Sequence, residues 1–220
     1  MTWANAQGTA TSGLMNGNAT FDAQGALVAF DDSSGRKVLD KGVVTDVGTN
    51  GVLSWGRWTS GNVSGSGTSN LATLHYFALS SVPTGATAGL FTSFASTAPT
   101  VQSNGTLVAT GAVNGATGTV TAALLLNILG TATYSLSVPV SGQTFTLTGT
   151  ATQTTLTTFS GISLITSNGG GCPLLGCTGS LGNNVSVIGQ VAGSTGSNIG
   201  VIYGFDSRLG NISGVIVFKR

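Results

Sequence analysis

Residues 131–152 read TATYSLSVPVSGQTFTLTGTAT, and this stretch decides the fold class. Apolar residues take every second position on either side of the dipeptide at 141–142: Ala132, Tyr134, Leu136 and Val138 before it, and Phe145, Leu147, Gly149 and Ala151 after it. Almost all the positions between them are Thr or Ser. Alternation with a period of two is typical of a strand with one buried face. The stretch therefore predicts two antiparallel strands with an apolar face and a hydroxyl face.

Similar patterns continue through the rest of the chain. Residues 199–205 and 211–218 place Ile, Val, Tyr and Phe on shared faces, and in 120–129 the flanking Thr alternation favours a strand over a helix. Asn-Gly pairs at 50–51, 104–105 and 114–115 are hairpin signals, because a type I′ turn needs positive φ at both central residues. We count about eight to ten strands in this way.

These strands predict an all-β chain. The expected architecture is a single antiparallel β-barrel of about eight strands, or a barrel-like sandwich, over residues 20–220. Residues 1–19, which are rich in Gly, Asn and Thr, are expected to form a flexible N-terminal lead. Hydrophobic residues make up 40% of the 220 residues, which indicates a packed core rather than a disordered chain.

Charged residues make up only 6% of the chain, against about 25% in ordinary globular proteins. Glu is absent, and residues 58–205 contain no Asp, Glu, Lys or Arg. A net charge of +1 creates no field that attracts phosphate backbones, so nucleic acid is excluded as a partner. We likewise expect no catalysis by paired carboxylates, because residues 58–205 contain no acidic side chain.

Several short motifs resemble a known family. They are Ser54-Trp55-Gly56-Arg57-Trp58, Leu74-His75-Tyr76, Ser96-Thr97-Ala98-Pro99-Thr100, the Gly-Thr-Val-Thr strand at 118–121, a Cys-x4-Cys loop, and the closing segments 199–203 and 212–215. Together they resemble the C-terminal β-barrel domain of FecR-domain proteins, which is similar to the barrels of transferrin-binding-protein-like surface proteins. The resemblance implies a barrel exposed at the periplasm or cell surface. Haem or an iron carrier is implied as a ligand only by this analogy, and no motif of the chain supports it.

Cys172 and Cys177 lie within one Gly-rich loop. Two cysteines at this spacing predict a local disulfide in an oxidising compartment, with free thiols as the alternative. A metal site would need further ligands, and the chain has only one His. We therefore expect a disulfide, no metal site and no cofactor.

The candidate ligand-binding residues are Trp55, Arg57, Trp58, His75 and Tyr76. Alternation places Trp55 and Arg57 on one face of a strand and Trp58 on the other. Two interpretations are open for Trp55, Arg57 and Trp58. They form a structural cation–π pair or surround a buried Arg, or they present an aromatic ring and a cation to a ligand. His75 is either packed and hydrogen-bonded to backbone or Thr, or a ligand-binding residue. No nucleophile motif accompanies it, so no catalytic residue is predicted.

The function predicted from the sequence is therefore that of a non-enzymatic, extracytoplasmic binding domain of a bacterial surface or periplasmic protein. Its partner is an unidentified protein or small molecule. One alternative is a self-assembling subunit of a surface fibre or sheath, since uncharged strands lack the usual protection against edge pairing. Another is an integral outer-membrane barrel, which the scarcity of aromatic residues, at 7%, disfavours.

Overall fold

The computed structural model describes most of the chain, and every regular element in it is a β-strand. The described residues are 2–6, 10–14, 16–35, 37–63, 74–85, 87–104, 106–113, 120–127, 129–155, 157–167 and 186–220. In this part of the chain no helix is long and apolar enough to cross a membrane. The strands form two antiparallel sheets.

The first sheet has seven strands and curves into a half-barrel. Its strands are β1 (Thr2–Ala6), β2 (Ala10–Leu14), β3 (Gly17–Phe21), β4 (Leu27–Asp32), β5 (Lys37–Thr49), β6 (Leu53–Val63) and β7 (Leu74–Leu79). Their spatial order is β2-β1-β7-β6-β5-β4-β3. The sequence predicts a flexible lead over residues 1–19, but two of these strands, β1 and β2, lie within it. Residues 2–4 of β1 pair with β7 and so belong to the sheet. The flexibility of that segment and the domain boundary at residue 19 stay predictions.

The second sheet has ten strands and contains the barrel. Its strands are β8 (Gly89–Ser96), β9 (Thr100–Ser103), β10 (Thr106–Thr110), β11 (Thr121–Leu126), β12 (Thr131–Val140), β13 (Gln143–Gln153), β14 (Thr158–Ser167), β15 (Ser186–Ala192), β16 (Asn198–Ser207) and β17 (Gly210–Lys219). Pairing of β17 with β8 closes β8 and β11–β17 into a barrel of eight antiparallel strands. The predicted barrel is confirmed, and the half-barrel sheet is an addition that the sequence pattern did not reveal.

The hairpin of residues 131–152 forms part of the wall of this barrel. β12 and β13 pair over their whole length through a turn at Ser141 and Gly142, whose φ angles of 52° and 73° are both positive. The apolar residues of β12 are buried inside, where they join Phe91, Phe145, Phe205 and Phe218 in one core. Thr and Ser of both strands face outward. The predicted assignment of faces is therefore confirmed.

β16 and β17 are buried on both faces, unlike β12 and β13. Their inward side chains belong to the barrel core, and the half-barrel sheet covers their outward side chains. Leu53, Trp55 and Phe77 of the half-barrel sheet form a second apolar cluster with Ile202 and Val217 of the barrel. Complete burial of a side chain such as Phe77 stabilises a fold by about 1.5–3 kcal/mol, so this cluster holds the two sheets together.

A third apolar cluster fills the concave side of the half-barrel sheet, facing away from the barrel. Its members are Leu27, Phe30, Leu39, Trp58, Leu74 and Tyr76. The half-barrel sheet therefore has an apolar face on each side, one against the barrel and one within its own curve.

β8 and β9 both pair with β17, but the strand conformation is interrupted between them at Thr97-Ala98-Pro99. Thr97 still donates its backbone N–H to the Val215 carbonyl at 3.0 Å. The interruption faces the half-barrel sheet, where Ala98 and Thr97 contact Asp46 and His75.

Candidate functional site

Several register shifts interrupt the half-barrel sheet. The β5–β6 pairing shifts between Asp40 and Val43, between Val43 and Val44, and between Thr45 and Gly48, and the first and third of these shifts put an extra residue on β5. Lys41 and Asp46 lie within these shifts and adopt left-handed φ angles of 54° and 56°. Extra residues of this kind form β-bulges, which bend a strand and increase its twist.

Each bulge brings a glycine against one of the two tryptophans of β6. A Cβ added to Gly42 would lie 2.5 Å from the Trp58 ring, and one added to Gly48 would lie 2.2 Å from the Trp55 ring. Real Cβ atoms do not approach so closely, so the indole rings occupy the space that a side chain at either position would need. The two glycines thus define the positions of Trp55 and Trp58.

The faces of β6 agree with the sequence prediction. Trp55 lies against the barrel, where its ring meets Phe94 edge-on at 5.7 Å between centroids. Trp58 lies on the opposite side, in the concave cluster. Arg57 shares the face of Trp55 and therefore points toward the barrel.

Arg57 forms a buried ion pair with Asp46. The guanidinium Nε lies 3.0 Å from Asp46 Oδ2, and the two side chains are only 10% and 8% exposed. The same carboxylate oxygen accepts the backbone N–H of Ala98 at 3.1 Å. Asp46 thus links β6 of the half-barrel sheet to the interruption between β8 and β9.

His75, on β7, is fully buried beside this ion pair. Its Nδ1 lies 2.8 Å from Thr97 Oγ1, and its Nε2 lies 2.8 Å from Thr100 Oγ1. Thr97 Oγ1 also accepts the N–H of Val215 at 3.0 Å. Thr100 continues the network to Ser213, with 3.4 Å between hydroxyl oxygens. The histidine therefore bridges the half-barrel sheet and the barrel through two threonines.

The environment keeps His75 neutral. Burial, together with the positive charge of Arg57, lowers the pKa of His75 to about 3. A neutral imidazole has one donor and one acceptor nitrogen, which matches one threonine that donates and one that accepts. We call the whole buried network the sheet junction; it consists of Asp46, Arg57, His75, Thr97, Thr100 and Ser213.

Tyr76 follows His75 and faces the concave side. Its hydroxyl accepts the N–H of Leu27 at 2.8 Å across the curve of the sheet. Burial raises the pKa of Tyr76 to about 12, so the phenol stays protonated at neutral pH. This hydrogen bond connects β7 to the start of β4.

The structure thus brings the five predicted site residues together, and all five are buried. Arg57 and His75 belong to the sheet junction, Trp55 packs beside it, and Trp58 and Tyr76 lie on the concave side. Their contact with a ligand stays a prediction. The predicted site residues do not include Asp46, Thr97 or Thr100, although one of the two interpretations of His75 expects a hydrogen bond to Thr. The only signal for Asp46 is its place in a charged stretch. The predicted disulfide between Cys172 and Cys177 lies outside the described residues.

An open pocket lies at one end of the half-barrel sheet, and we call it the half-barrel pocket. Its volume is about 140 Å³. It is lined on one side by Gly17, Ala19, Phe21 and Phe30, and on the other by Gly51, Val52, Ser54, Ala78, Leu79 and Ser80. No charged side chain lines it. Phe21 forms part of its rim and is 39% exposed, which is unusual for so large an apolar residue.

A second apolar surface lies on the barrel. Leu90 of β8 and Leu125 of β11 are direct cross-strand partners and are 62% and 49% exposed. Leu129, in the turn after β11, is 86% exposed. Turns are ordinarily built from polar residues and glycine, so this apolar tip is exceptional. We call these three residues the leucine patch.

One cation borders the leucine patch, because a Cβ added to Gly89 would lie 3.5 Å from Arg220 Nη1. The other nearby cation, Lys219, pairs with Thr92 of β8, but its ammonium lies over the Phe94 ring, 5.4 Å from the centroid. Arg220 donates from its guanidinium to the carbonyls of Ala88 and Thr195 at 2.7 and 3.0 Å. The patch is therefore apolar at its centre and positively charged at one margin. Within the described ranges, no three His, Cys, Asp or Glu side chains are grouped so that they could hold a metal ion.

Comparisons with known proteins identify the fold. Intact Ap-TbpB, which has N and C lobes, superposes with a TM-score of 0.51 at 14% sequence identity, over 95% of this chain and 43% of that one. A mutant of transferrin-binding protein B from Haemophilus parasuis Hp5, described as a vaccine antigen, superposes with a TM-score of 0.53 at 10% identity. That match covers 100% of this chain and 44% of the other. The chain thus has the fold found in transferrin-binding protein B and spans less than half the length of those proteins.

No protein-family model and no curated protein matches the chain. The likeness to transferrin-binding protein B, expected from the sequence, is therefore confirmed at the level of the fold. The expected link to FecR-domain proteins finds no support.

Proposed function

We propose that this chain is a non-enzymatic, extracytoplasmic domain that binds a partner protein through the leucine patch. The observation that carries the proposal is the exposure of three leucines on an otherwise hydroxyl-rich barrel. Exposed contiguous apolar surface on a folded domain is typical of an interaction site. Arg220 at the margin favours a partner with acidic groups beside an apolar centre.

The fold supports the class of function. Proteins named for binding transferrin share this fold over 95% and 100% of this chain. The only histidine also supports a non-enzymatic role. Both of its ring nitrogens are engaged by threonines between the sheets, where it cannot reach a substrate.

The barrel wall argues against the alternative of an integral outer-membrane barrel. On β12 and β13 the apolar residues face inward and the Thr and Ser residues face outward. Barrels that span a membrane carry the opposite arrangement, with an apolar band toward lipid. We therefore favour a barrel whose wall contacts water and whose apolar patch contacts a protein.

Photo-cross-linking in the natural host tests this proposal. A photoreactive residue at Leu129 is expected to capture one predominant protein, whereas the same residue at Thr148, exposed on the hydroxyl wall, is expected to capture none. The double change Leu90→Ser and Leu125→Ser should reduce the Leu129 product at least about tenfold, since each leucine contributes apolar contact area. Equal products from both positions would contradict the proposal.

Two further measurements test the remaining parts of the proposal. Transferrin is the first purified protein to test in a direct binding assay, because the structural neighbours are named for it. Protease treatment of cells, before and after the outer membrane is permeabilised, tests the location. Protection of the domain in cells whose outer membrane has been permeabilised would contradict an extracytoplasmic position.

A further inference from the structure

The half-barrel sheet has one open edge among the described strands. The sheet ends with β2 on one side and β3 on the other. β2 packs against β15, β16 and β17 of the barrel, whereas β3 packs mainly against β4, its neighbour in the sheet. An edge strand presents a row of backbone N–H and C=O groups that can pair with another chain. β3 is therefore a place where a further strand can be added.

β3 lacks the features that ordinarily protect an edge. Its five residues, Gly17–Phe21, contain no charged side chain and no proline. The next residue, Asp22, uses its Oδ1 to accept the N–H groups of Gln24 and Ala26 within its own turn. Edge strands of natural proteins are commonly protected by Lys, Pro or a bulge. None of these occurs within β3.

The strand that ends the barrel sheet among the described residues provides a contrast. β10 ends the barrel sheet, but its pairing with β9 shifts register at Val108, so the edge strand itself carries a bulge. In the β3–β4 pair the extra residue, Val28, lies on β4, and β3 stays regular. A regular edge accepts a further strand more readily than a bulged one does.

The half-barrel pocket lies directly beside this edge. Gly17, Ala19 and Phe21 are alternate residues of β3, and they form one wall of the pocket. Its volume of about 140 Å³ is close to the ~150 Å³ of an apolar cavity that binds benzene, and well below the ~300–1,000 Å³ of sites for drug-sized molecules. The pocket thus matches one phenyl-sized side chain.

We propose that the edge of β3 and the half-barrel pocket together bind an extended, uncharged peptide segment of a partner protein. The segment adds to the half-barrel sheet as an eighth strand and places one aromatic side chain in the pocket. Backbone pairing supplies affinity and the pocket supplies specificity, as in other cases of strand addition. This site is separate from the leucine patch and does not depend on the function proposed for that patch.

Charge and size select this occupant. The lining contains no charged side chain, so a charged group in the pocket would lose its hydration without gaining a partner. A folded second copy of the chain would need about 800 Å² of buried surface on each partner, which a five-residue edge and one small pocket do not offer. A short segment in strand conformation needs only the edge and the pocket.

Methyl and amide NMR of the intact chain, titrated with small probes, tests the pocket. Toluene is expected to shift the methyl signals of Ala19, Val52 and Ala78, whereas benzoate, which has the same ring and a charge, is expected to shift none of them. The change Ala78→Leu, which fills the pocket, should abolish the response to toluene. The change Leu125→Ser, on the leucine patch, should leave it unaltered. An absence of toluene shifts in the wild type, or equal shifts by benzoate, would overturn the proposal.

The strand addition is tested with two capped pentapeptides, Thr-Thr-Phe-Thr-Thr and Thr-Thr-Ala-Thr-Thr. The first should shift the amide signals of residues 17–21 and bind at least about tenfold more tightly than the second, because only its ring fills the pocket. The change Thr20→Lys, which adds a charge to the edge, should weaken the Phe peptide. Equal affinity of the two peptides, or concentration-dependent dimers formed through β3, would contradict a peptide segment as the occupant. Cross-linking at Leu129 reports on the leucine patch independently.

Discussion

His75 of the half-barrel sheet and Thr97 of the barrel sheet are joined by a hydrogen bond of 2.8 Å between Nδ1 and Oγ1. Thr97 Oγ1 also accepts the N–H of Val215, and Nε2 lies 2.8 Å from Thr100 Oγ1. A neutral ring has one donor and one acceptor nitrogen, so one of the two threonines donates to it and the other accepts from it. A protonated ring would present two donors and would leave the donating threonine without its acceptor. The sheet junction therefore depends on a neutral histidine.

We predict that acid weakens this protein through His75. The pKa of His75 is lowered to about 3 in the folded chain, from 6.5 in the unfolded one, so between these values the unfolded chain binds more protons. The contribution to stability is complete above pH 6.5 and is lost as the pH falls toward 3. By linkage, the loss at pH 5 relative to neutral pH is about 2 kcal/mol.

Urea denaturation at pH 7 and pH 5 measures this loss. The change His75→Gln provides the comparison, because Gln can donate to one threonine and accept from the other without titrating. The free energy of unfolding of the variant should fall less between the two pH values than that of the wild type. Equal losses would show that the histidine is not the acid-sensitive group.

The ion pair of the sheet junction should be costly to break. The change Asp46→Asn keeps a residue that tolerates the left-handed φ of 56° but removes the negative charge beside Arg57. Loss of one partner of a buried ion pair costs about 3 kcal/mol or more, because the remaining charge stays buried. We expect a loss of this size in urea denaturation. Asp206→Asn, at a half-buried carboxylate that accepts a hydrogen bond from Asn211, is the control and should cost less than about 1 kcal/mol.

Close packing of tryptophan against glycine should make Gly48 intolerant of substitution. A Cβ at Gly48 would lie 2.2 Å from the Trp55 ring, which is held between the two sheets. We expect Gly48→Ala to lower the free energy of unfolding by about 1–3 kcal/mol, the range for overpacked cores. At Gly85 an added Cβ meets nothing within 4 Å, so Gly85→Ala should stay within about 0.5 kcal/mol of the wild type. Similar effects of the two changes would contradict this account of the bulge.

Two buried tyrosines should respond oppositely to loss of the hydroxyl. Tyr76 Oη accepts the buried N–H of Leu27, so Tyr76→Phe leaves that donor unsatisfied and should cost about 1–3 kcal/mol. Tyr203 Oη is buried without a hydrogen-bond partner in the described part of the chain, and burial raises its pKa. Tyr203→Phe removes a buried hydroxyl that makes no hydrogen bond, so the free energy of unfolding should stay equal or rise. Thermal denaturation of the two variants at one pH makes the comparison, and a larger loss for Tyr203→Phe would reverse our interpretation.

Several elements could be predicted from the sequence because their evidence is local. The apolar alternation of 131–152 identifies β12 and β13, the residues that face the core, and the turn at Ser141. The opposite faces of Trp55 and Trp58 follow from the same period of two. Such patterns are set by the geometry of a pleated strand and need no knowledge of its neighbours.

The half-barrel sheet could not be recognised in the same way. The bulges at Lys41 and Asp46 interrupt the alternation of β5, so its strand pattern is hidden in a stretch that reads as charged and irregular. The burial of both faces of β16 and β17 depends on a second sheet that packs on the outside of the barrel. Alternation along one strand does not reveal that cover.

The amino-acid sequence by itself determined an all-β chain with a closed, apolar-lined barrel, because strand alternation is written residue by residue. Only the tertiary structure decided that Asp46, Arg57, His75 and Thr97 meet, since they come from three strands and an interruption that are far apart in the chain. It also decided that the candidate residues are buried and that β3 is the last strand of its sheet among the described strands. Burial and edge position are properties of how sheets are placed against each other, and local patterns do not contain that information.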